Sequence, residues 1–228
     1  YSMTGSAFVA NRKGYSISVR RATGRTPDGE QVFGRASTYI NQQLAVGDVI
    51  SLRAPSGKFI MPVATSRPLV LLAGGIGITP FINLLETLVD VVAPPETLLL
   101  YANQRGAAHA FKARLKALQE RIPGLGIINF YDRPSAEDQL GVDYDVAGRV
   151  SADCIPSAML KRRPLFYMCG PAPMMDAFTN ALIDVGVPRF DIIKEIFRSP
   201  STVTVEPGQE FRVSFTKSSI SRTWKSAD

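Results

Sequence analysis

The chain has 228 residues, a formal net charge of +6 and a sequence pI near 9.5. Its 45% hydrophobic and 20% charged residues are ordinary for one large globular domain or two small ones, and no apolar run reaches the length of a membrane-spanning helix. Lysine and arginine are scattered apart from Arg20-Arg21 and Lys161-Arg162-Arg163, with no aromatic-laced basic stripe, which argues against nucleic acid as a partner.

Two cysteines, Cys154 and Cys169, form no C-x-x-C pair, so neither a metal site nor a disulfide framework is indicated. The single histidine, His109, disfavours a Ser-His-Asp or Cys-His mechanism. Enzymatic chemistry in this chain would therefore rest on a cofactor. Hydride transfer suits that condition, because it needs placement and electronics more than a protein base.

In chain order, Tyr15–Val19 alternates and predicts a strand, and residues 22–30 read as a loop. Gly34–Ile40 opens a short helix with Ser37 or Thr38 near its cap. Val49–Arg53 predicts a second strand between two turns. This β-rich front is too small for a complete barrel. From Arg67 the pattern changes to alternating strand and helix, which predicts a five-stranded parallel sheet with helices on both faces. Its strands are Leu69–Ala73, Thr97–Tyr101, Ile127–Tyr131, Leu165–Cys169 and Ile192–Phe197. Residues 132–148 read as a polar loop and Ala152–Leu160 as a short helix. A helix face is read from Phe111 through Leu115 and Leu118, and another through Met174, Phe178 and Leu182, with Gly186 as its C′ residue. After Phe197, residues 198–201 read as a linker. Phe211, Val213 and Phe215 then alternate toward a second strand, Ile220–Trp224, a hairpin without a core.

The chain is organised around Leu69-Val70-Leu71-Leu72-Ala73-Gly74-Gly75-Ile76-Gly77-Ile78-Thr79-Pro80. A wholly apolar strand, a glycine turn and a helix with Thr79 as cap and Pro80 at its first position make a phosphate site. The turn departs from the usual dinucleotide fingerprint at its third glycine, and a tight turn without a ligand is the bland alternative. A bulky residue at Gly77 is expected to block the dinucleotide while leaving the fold intact. Gly74–Pro80 and Cys169–Pro171 both fall at carboxyl ends of strands, where open α/β sheets bind ligands.

In order, Tyr-Ser, Gly-x-x-Ser, Ala-Pro-x-Gly-x-Phe, Gly-Gly-x-Gly-x-Thr-Pro, Cys-Gly-Pro and Glu-x-Phe resemble the ferredoxin–NADP reductase superfamily. Within it the likeness is to oxygenase reductases of the phthalate dioxygenase reductase kind. The resemblance implies a partial flavin barrel over 1–65, a nicotinamide-binding domain over 66–199, and over 200–228 a linker and the first hairpin of a plant-type ferredoxin domain. It places Tyr1 and Ser2 at the flavin ring, and Gly34 and Ser37 at the flavin phosphate. Gly74, Gly75, Gly77 and Thr79 fall at the nicotinamide dinucleotide's pyrophosphate. Cys169, Gly170 and Pro171 lie beside the nicotinamide, and Glu195 and Phe197 near the flavin.

The implied cofactors are a flavin (FAD or FMN) and NADH or NADPH. A [2Fe–2S] cluster is implied only in a missing downstream domain, so the chain reads as the middle of a longer protein. An electron-acceptor protein such as an oxygenase and a cytoplasmic setting follow from the same likeness. A nucleotide-binding module without activity, and more remotely a methyltransferase-like domain, are the alternatives. No acid follows the second strand, so Arg105 is a candidate for a 2′-phosphate and Asn103 or Gln104 for a 2′-hydroxyl. The resemblance favours NADH.

Overall fold

A computed structural model describes residues 1–8, 14–26, 28–197, 210–215 and 220–225. The chain divides into two compact units, Tyr1–Phe197 and Arg198–Asp228.

The first unit begins with an antiparallel ribbon, β1 (Thr23–Arg25) against β2 (Gln31–Phe33), followed by helix α1 (Arg35–Gln42). The stretch expected as a loop thus supplies β1, and Gly29, at φ +88°, helps the chain return. The two other strands expected here do not form. Residues 15–19 make one antiparallel bridge, Met3 to Ile17, supported by the Thr4 N–H on the Ser16 carbonyl at 2.8 Å. Residues 49–53 pair with no strand among the described residues, and Val49 is 97% exposed. Alternation prepares a strand, but a ladder requires a neighbour.

Next come β3 (Leu69–Gly74), α2 (Thr79–Leu88), β4 (Thr97–Asn103), α3 (Lys112–Arg121), β5 (Leu125–Tyr131) and β6 (Val146–Ala147). They are followed by α4 (Ser157–Lys161), β7 (Leu165–Cys169), α5 (Ala172–Asp184) and β8 (Ile192–Glu195). The sheet order is β6-β5-β4-β3-β7-β8, with every pair parallel. The five expected strands are all present. The sixth, β6, is a two-residue edge pairing inside the stretch read as a polar loop, too short to leave a periodic signal. β3 lies between β4 and β7 and is buried along its whole length, as its apolar sequence requires.

Alternate residues serve two cores. Leu69, Leu71, Ala73, Leu99 and Tyr101 meet Phe81 and Leu85 of α2 and Leu118 of α3. Val70, Leu72, Leu100, Phe166 and Met168 meet Phe178 and Leu182 of α5. Local details differ from expectation. Phe111 takes a left-handed conformation at φ 61° and precedes α3 rather than joining it. Pro156 interrupts the expected helix at 152–160, leaving a single 3₁₀ turn before α4. Gly186 ends α5 as expected, at φ +88°.

The front segment is fastened to this layer by polar and aromatic contacts. The Asn83 amide donates to the Gly5 carbonyl, Arg114 to the Thr4 carbonyl at 2.8 Å, and the Ala7 N–H to Thr87 at 2.9 Å. Phe59 packs edge-on against Tyr167 at 5.5 Å. At the opposite end of the sheet, buried Asp191 pairs with Arg67 at 2.7 Å and Arg163 at 3.5 Å, joining the starts of β3, β7 and β8.

The second unit shows one antiparallel hairpin, β9 (Glu210–Phe215) with β10 (Ile220–Lys225), Phe215 opposite Ile220. The linker read at residues 198–201 and the connection between the two strands, residues 216–219, lie outside the described residues.

Candidate functional site: a cleft at the sheet's switch point

The chain leaves β3 through α2 to one side of the sheet, while β7 lies on the other side. The carboxyl ends of β3 and β7 therefore flank the point where strand order reverses, the place where such sheets hold ligands. β3 ends at Gly74. Gly75 is left-handed at φ +52°, a conformation glycine adopts without steric cost. Gly75–Ile78 then form one 3₁₀ turn that runs into α2.

Thr79 does not cap that helix. It already has helical dihedrals, and its buried hydroxyl donates back to the Ile76 carbonyl at 3.1 Å. Pro80 sits in the first turn as expected.

Of the four glycines in the two turns, Gly74, Gly77 and Gly170 serve packing rather than open space. A methyl group on Gly77 would lie 2.2 Å from the Cys169 carbonyl oxygen and 2.9 Å from the Gly170 nitrogen. One on Gly74 would lie 2.6 Å from Pro171, and one on Gly170 2.9 Å from the Gly74 nitrogen. The Gly-Gly-x-Gly and Cys-Gly-Pro turns are thus pressed backbone to backbone. A side chain at Gly77 would force them apart, so the expectation that the fold tolerates a bulky residue there is overturned. Only Gly75 faces open space, where its nearest neighbour is the Arg20 guanidinium, 3.8 Å from the methyl position.

Cys169 pairs with Ala73 on one side and Glu195 on the other. It is fully buried, and burial, then the Glu195 charge, pushes its thiol up to about 12, so it is a neutral thiol and not a nucleophile. Burial also raises the Glu195 carboxyl. Tyr1 and Phe197 leave much of their rings exposed, at 68% and 45%, as stacking surfaces require. Ser2 is half-buried beside Tyr1. Gly77, Cys169, Gly170 and Glu195 thus form one chain of neighbours, with Pro171 at the start of α5.

Gly34 and Ser37 are set apart, at the start of α1. Gly34, not Ser37, precedes the helix. The Ser37 hydroxyl donates to the Gly34 carbonyl at 3.0 Å and accepts the Ala22 N–H at 3.0 Å, so it braces the turn. An open groove of ≈ 720 Å³ borders this helix, lined by Phe33, Arg35, Thr38 and Tyr39. The Thr38 hydroxyl is buried there without a hydrogen-bond partner. Unpaired helix N–H groups, an arginine and an orphaned hydroxyl are a donor set that fits a phosphate.

Two residues at the cleft were not singled out as site residues in the sequence. Arg20 counted only as half of a charge pair, although it closes the alternating Tyr15–Val19 run. Tyr101 counted as the last apolar residue of a strand, yet its buried hydroxyl reaches the Gly75 carbonyl at 3.1 Å. At the end of β4, Asn103 is buried and Gln104 and Arg105 are exposed. The Arg105 side chain has no hydrogen-bond or ion-pair partner among the described residues, while its carbonyl accepts the Ala108 N–H at 3.0 Å. Nearby, His109 is buried with its Nδ1 2.7 Å from the Tyr131 hydroxyl, and burial, then Lys112, lowers its pKa to about 4. Among the described residues no helix is long and apolar enough to cross a membrane.

The family described as oxidoreductase NAD-binding domain matches residues 71–180. Flavohemoproteins are similar over most of the chain. That of Bordetella pertussis is 36% identical over 181 residues, 79% of this chain and 44% of the relative. That of Rhizobium meliloti is 32% identical over 187 residues, 82% of this chain and 45% of the relative. The chain thus spans less than half the length of these relatives. Among solved structures, the flavohem-like FAD/NAD-binding domain of nitric oxide dioxygenase from Vibrio cholerae matches with a TM-score of 0.69 at 29% identity, covering 86% of this chain and 76% of that one. The ferredoxin reductase in carbazole 1,9a-dioxygenase shares the fold, with a TM-score of 0.61 at 20% identity over 87% of this chain and 55% of that one. Residues 71–180 carry an oxidoreductase NAD-binding domain, and the chain has a ferredoxin–NADP reductase-like fold.

Proposed function

We propose that the chain is the nicotinamide- and flavin-handling part of an NAD(P)H-dependent flavin oxidoreductase. The observation that carries this reading is the contact between the Gly75–Ile78 turn and the Cys169–Pro171 turn at the switch point. A dinucleotide bound at the first turn has its nicotinamide end directed along the second, toward Glu195. Residues 66–199 hold the nicotinamide cofactor, residues 1–65 form part of the flavin barrel, and residues 200–228 lead into a further redox domain.

Each residue has a distinct task. The N–H groups of the Gly75–Ile78 turn and the Arg20 guanidinium hold the pyrophosphate. Cys169, Gly170 and Pro171 wall the nicotinamide. Tyr1 and Phe197 stack on the flavin ring, Ser2 bonds it, and Glu195 keeps a partly buried carboxyl beside the reacting rings. Gly34 and the start of α1 hold the flavin phosphate, with Thr38 and Arg35 as further donors. A bound flavin supplies acceptance of a hydride and onward delivery of single electrons. FAD is favoured over FMN because the Vibrio cholerae domain is described as FAD-binding. NADH is favoured by family likeness, and exposed Arg105 is the residue available to a 2′-phosphate.

The onward acceptor is a redox protein or domain. The β9–β10 hairpin supports an iron–sulfur ferredoxin domain, whereas the similar proteins are flavohemoproteins. A cytoplasmic setting is part of this proposal.

The test is reconstitution of the intact chain with FAD, then anaerobic titration with NADH and NADPH while the visible flavin band is followed. Bleaching by NADH supports the proposal. A colourless protein that still binds NADH would replace it with a nucleotide-binding module. NADPH bound more tightly by wild type, with the advantage lost in Arg105→Ala, would overturn the preference for NADH.

A further inference from the structure

We propose that Tyr101 is a positioning residue of the dinucleotide site: its hydroxyl orients the Gly75–Ile76 peptide so that the Ile76 N–H faces the phosphate. The proposal rests on the dinucleotide reading above and extends it to a residue that touches no ligand.

Tyr101 closes an otherwise aliphatic run in β4, Leu98-Leu99-Leu100-Tyr101. It lies opposite Ala73 in the β3–β4 register, and both residues face the α2 side of the sheet. The side chain is completely buried, and its hydroxyl stands 3.1 Å from the Gly75 carbonyl and 3.4 Å from the Ala110 carbonyl. A phenol has one proton to donate, and the shorter distance assigns it to Gly75. Burial holds the phenol well above its ordinary range, so the donor stays protonated at every working pH.

The consequence follows from peptide geometry. In a planar trans peptide the C=O and the N–H point in opposite directions. A Gly75 carbonyl held inward by a buried hydroxyl therefore turns the Ile76 N–H outward, into the cleft. The left-handed φ of +52° at Gly75 lets the backbone accept that orientation. Thr79 repeats the device one peptide later. Its buried hydroxyl donates to the Ile76 carbonyl at 3.1 Å, beside the Thr79 N–H that the same carbonyl accepts, and so holds that carbonyl inward as well. Arg20 approaches the same turn over the open side of Gly75. A fixed N–H group and a guanidinium on one side of a turn match a pyrophosphate. Two hydroxyls below the turn keep its carbonyls from rotating away when no ligand is bound.

The test is Tyr101→Phe, which keeps the ring and removes only the donor. Binding of NADH, ADP and adenosine is measured by calorimetry on the intact chain. A positioning role predicts that affinity for NADH and ADP falls about three- to tenfold. Adenosine, which carries no phosphate, binds as before. A merely structural role weakens adenosine and ADP alike and overturns the proposal, as does unchanged ADP affinity. Amide resonances of wild type are followed during ADP titration as an independent measurement, decisive also where the variant fails to fold. The Ile76 N–H signal is expected to shift among the most, and its failure to move while others do overturns the proposal. Wild type that binds neither NADH nor ADP brings down the dinucleotide reading and this inference with it. Wild type that binds both, with Tyr101→Phe equal to it, brings down the inference alone.

Discussion

Gly77→Ala and Gly75→Ala differ by two positions in one turn, and the structure predicts opposite consequences. At Gly77 the added methyl would lie 2.2 Å from the Cys169 oxygen, 2.6 Å from its carbonyl carbon and 2.9 Å from the Gly170 nitrogen. All three are backbone atoms at the end of β7, so no side-chain rotation relieves the clash. An ordinary contact requires the two turns to separate by about 1 Å, against the β3–β7 ladder and the close-packed cores on both sides. The cost is set at about 3 kcal/mol, the upper end of the range for overpacking. For a chain of this size that corresponds to a fall of about 6–12 °C in melting temperature. At Gly75 the methyl meets only Arg20 at 3.8 Å, and the cost is the left-handed conformation, about 1 kcal/mol or ~2–4 °C. That methyl points toward the open side of the turn, so Gly75→Ala is expected to weaken ADP binding more than it destabilises the fold. Circular-dichroism melts and calorimetric ADP titrations of both variants provide the comparison. A Gly77→Ala protein melting within about 2 °C of wild type, less than ~1 kcal/mol, would refute the backbone contact on which the site is built.

Three further outcomes are expected. His109 has a folded pKa near 4, against an unfolded value near 6.5, so the unfolded chain binds more protons between those limits. Stability is fully present above pH 6.5 and is lost as pH falls toward 4, by about 3 kcal/mol. Urea unfolding across that range should show the slope in wild type and a flatter one in His109→Gln; equal slopes would remove His109 as the cause. Arg67→Ala leaves the buried Asp191 carboxylate with only the longer Arg163 contact and should cost about 3 kcal/mol, with Asp191→Asn in the same chain recovering part of it. Arg20→Ala should weaken ADP binding about tenfold with little change in melting temperature, because Arg20 is exposed and its charge faces the turn; undiminished affinity would take Arg20 out of the site.

The nicotinamide-binding layer was readable from residues 69–195 because its signals are local. Leu69–Ala73 is apolar on both faces and had to be a central strand, and Gly186 marked the end of α5 through its own left-handed backbone. The front was less readable. Residues 49–53 carry a strand pattern, but pairing depends on a neighbour elsewhere in the chain. Residues 23–25 looked like a loop and became a strand because Gln31–Phe33 lay beside them.

The sequence alone determined that a glycine turn, a Cys-Gly-Pro turn and a Glu-x-Phe segment end their respective strands, because strand and turn propensities are written over a few adjacent residues. Only the tertiary structure decided that Gly77 rests against Cys169, that Arg20 reaches the turn from the front segment, and that Tyr101 and Thr79 fix its carbonyls. Those relations join residues as many as 92 positions apart, from Gly77 to Cys169. No local pattern encodes them, because they follow from strand order and close packing at the switch point.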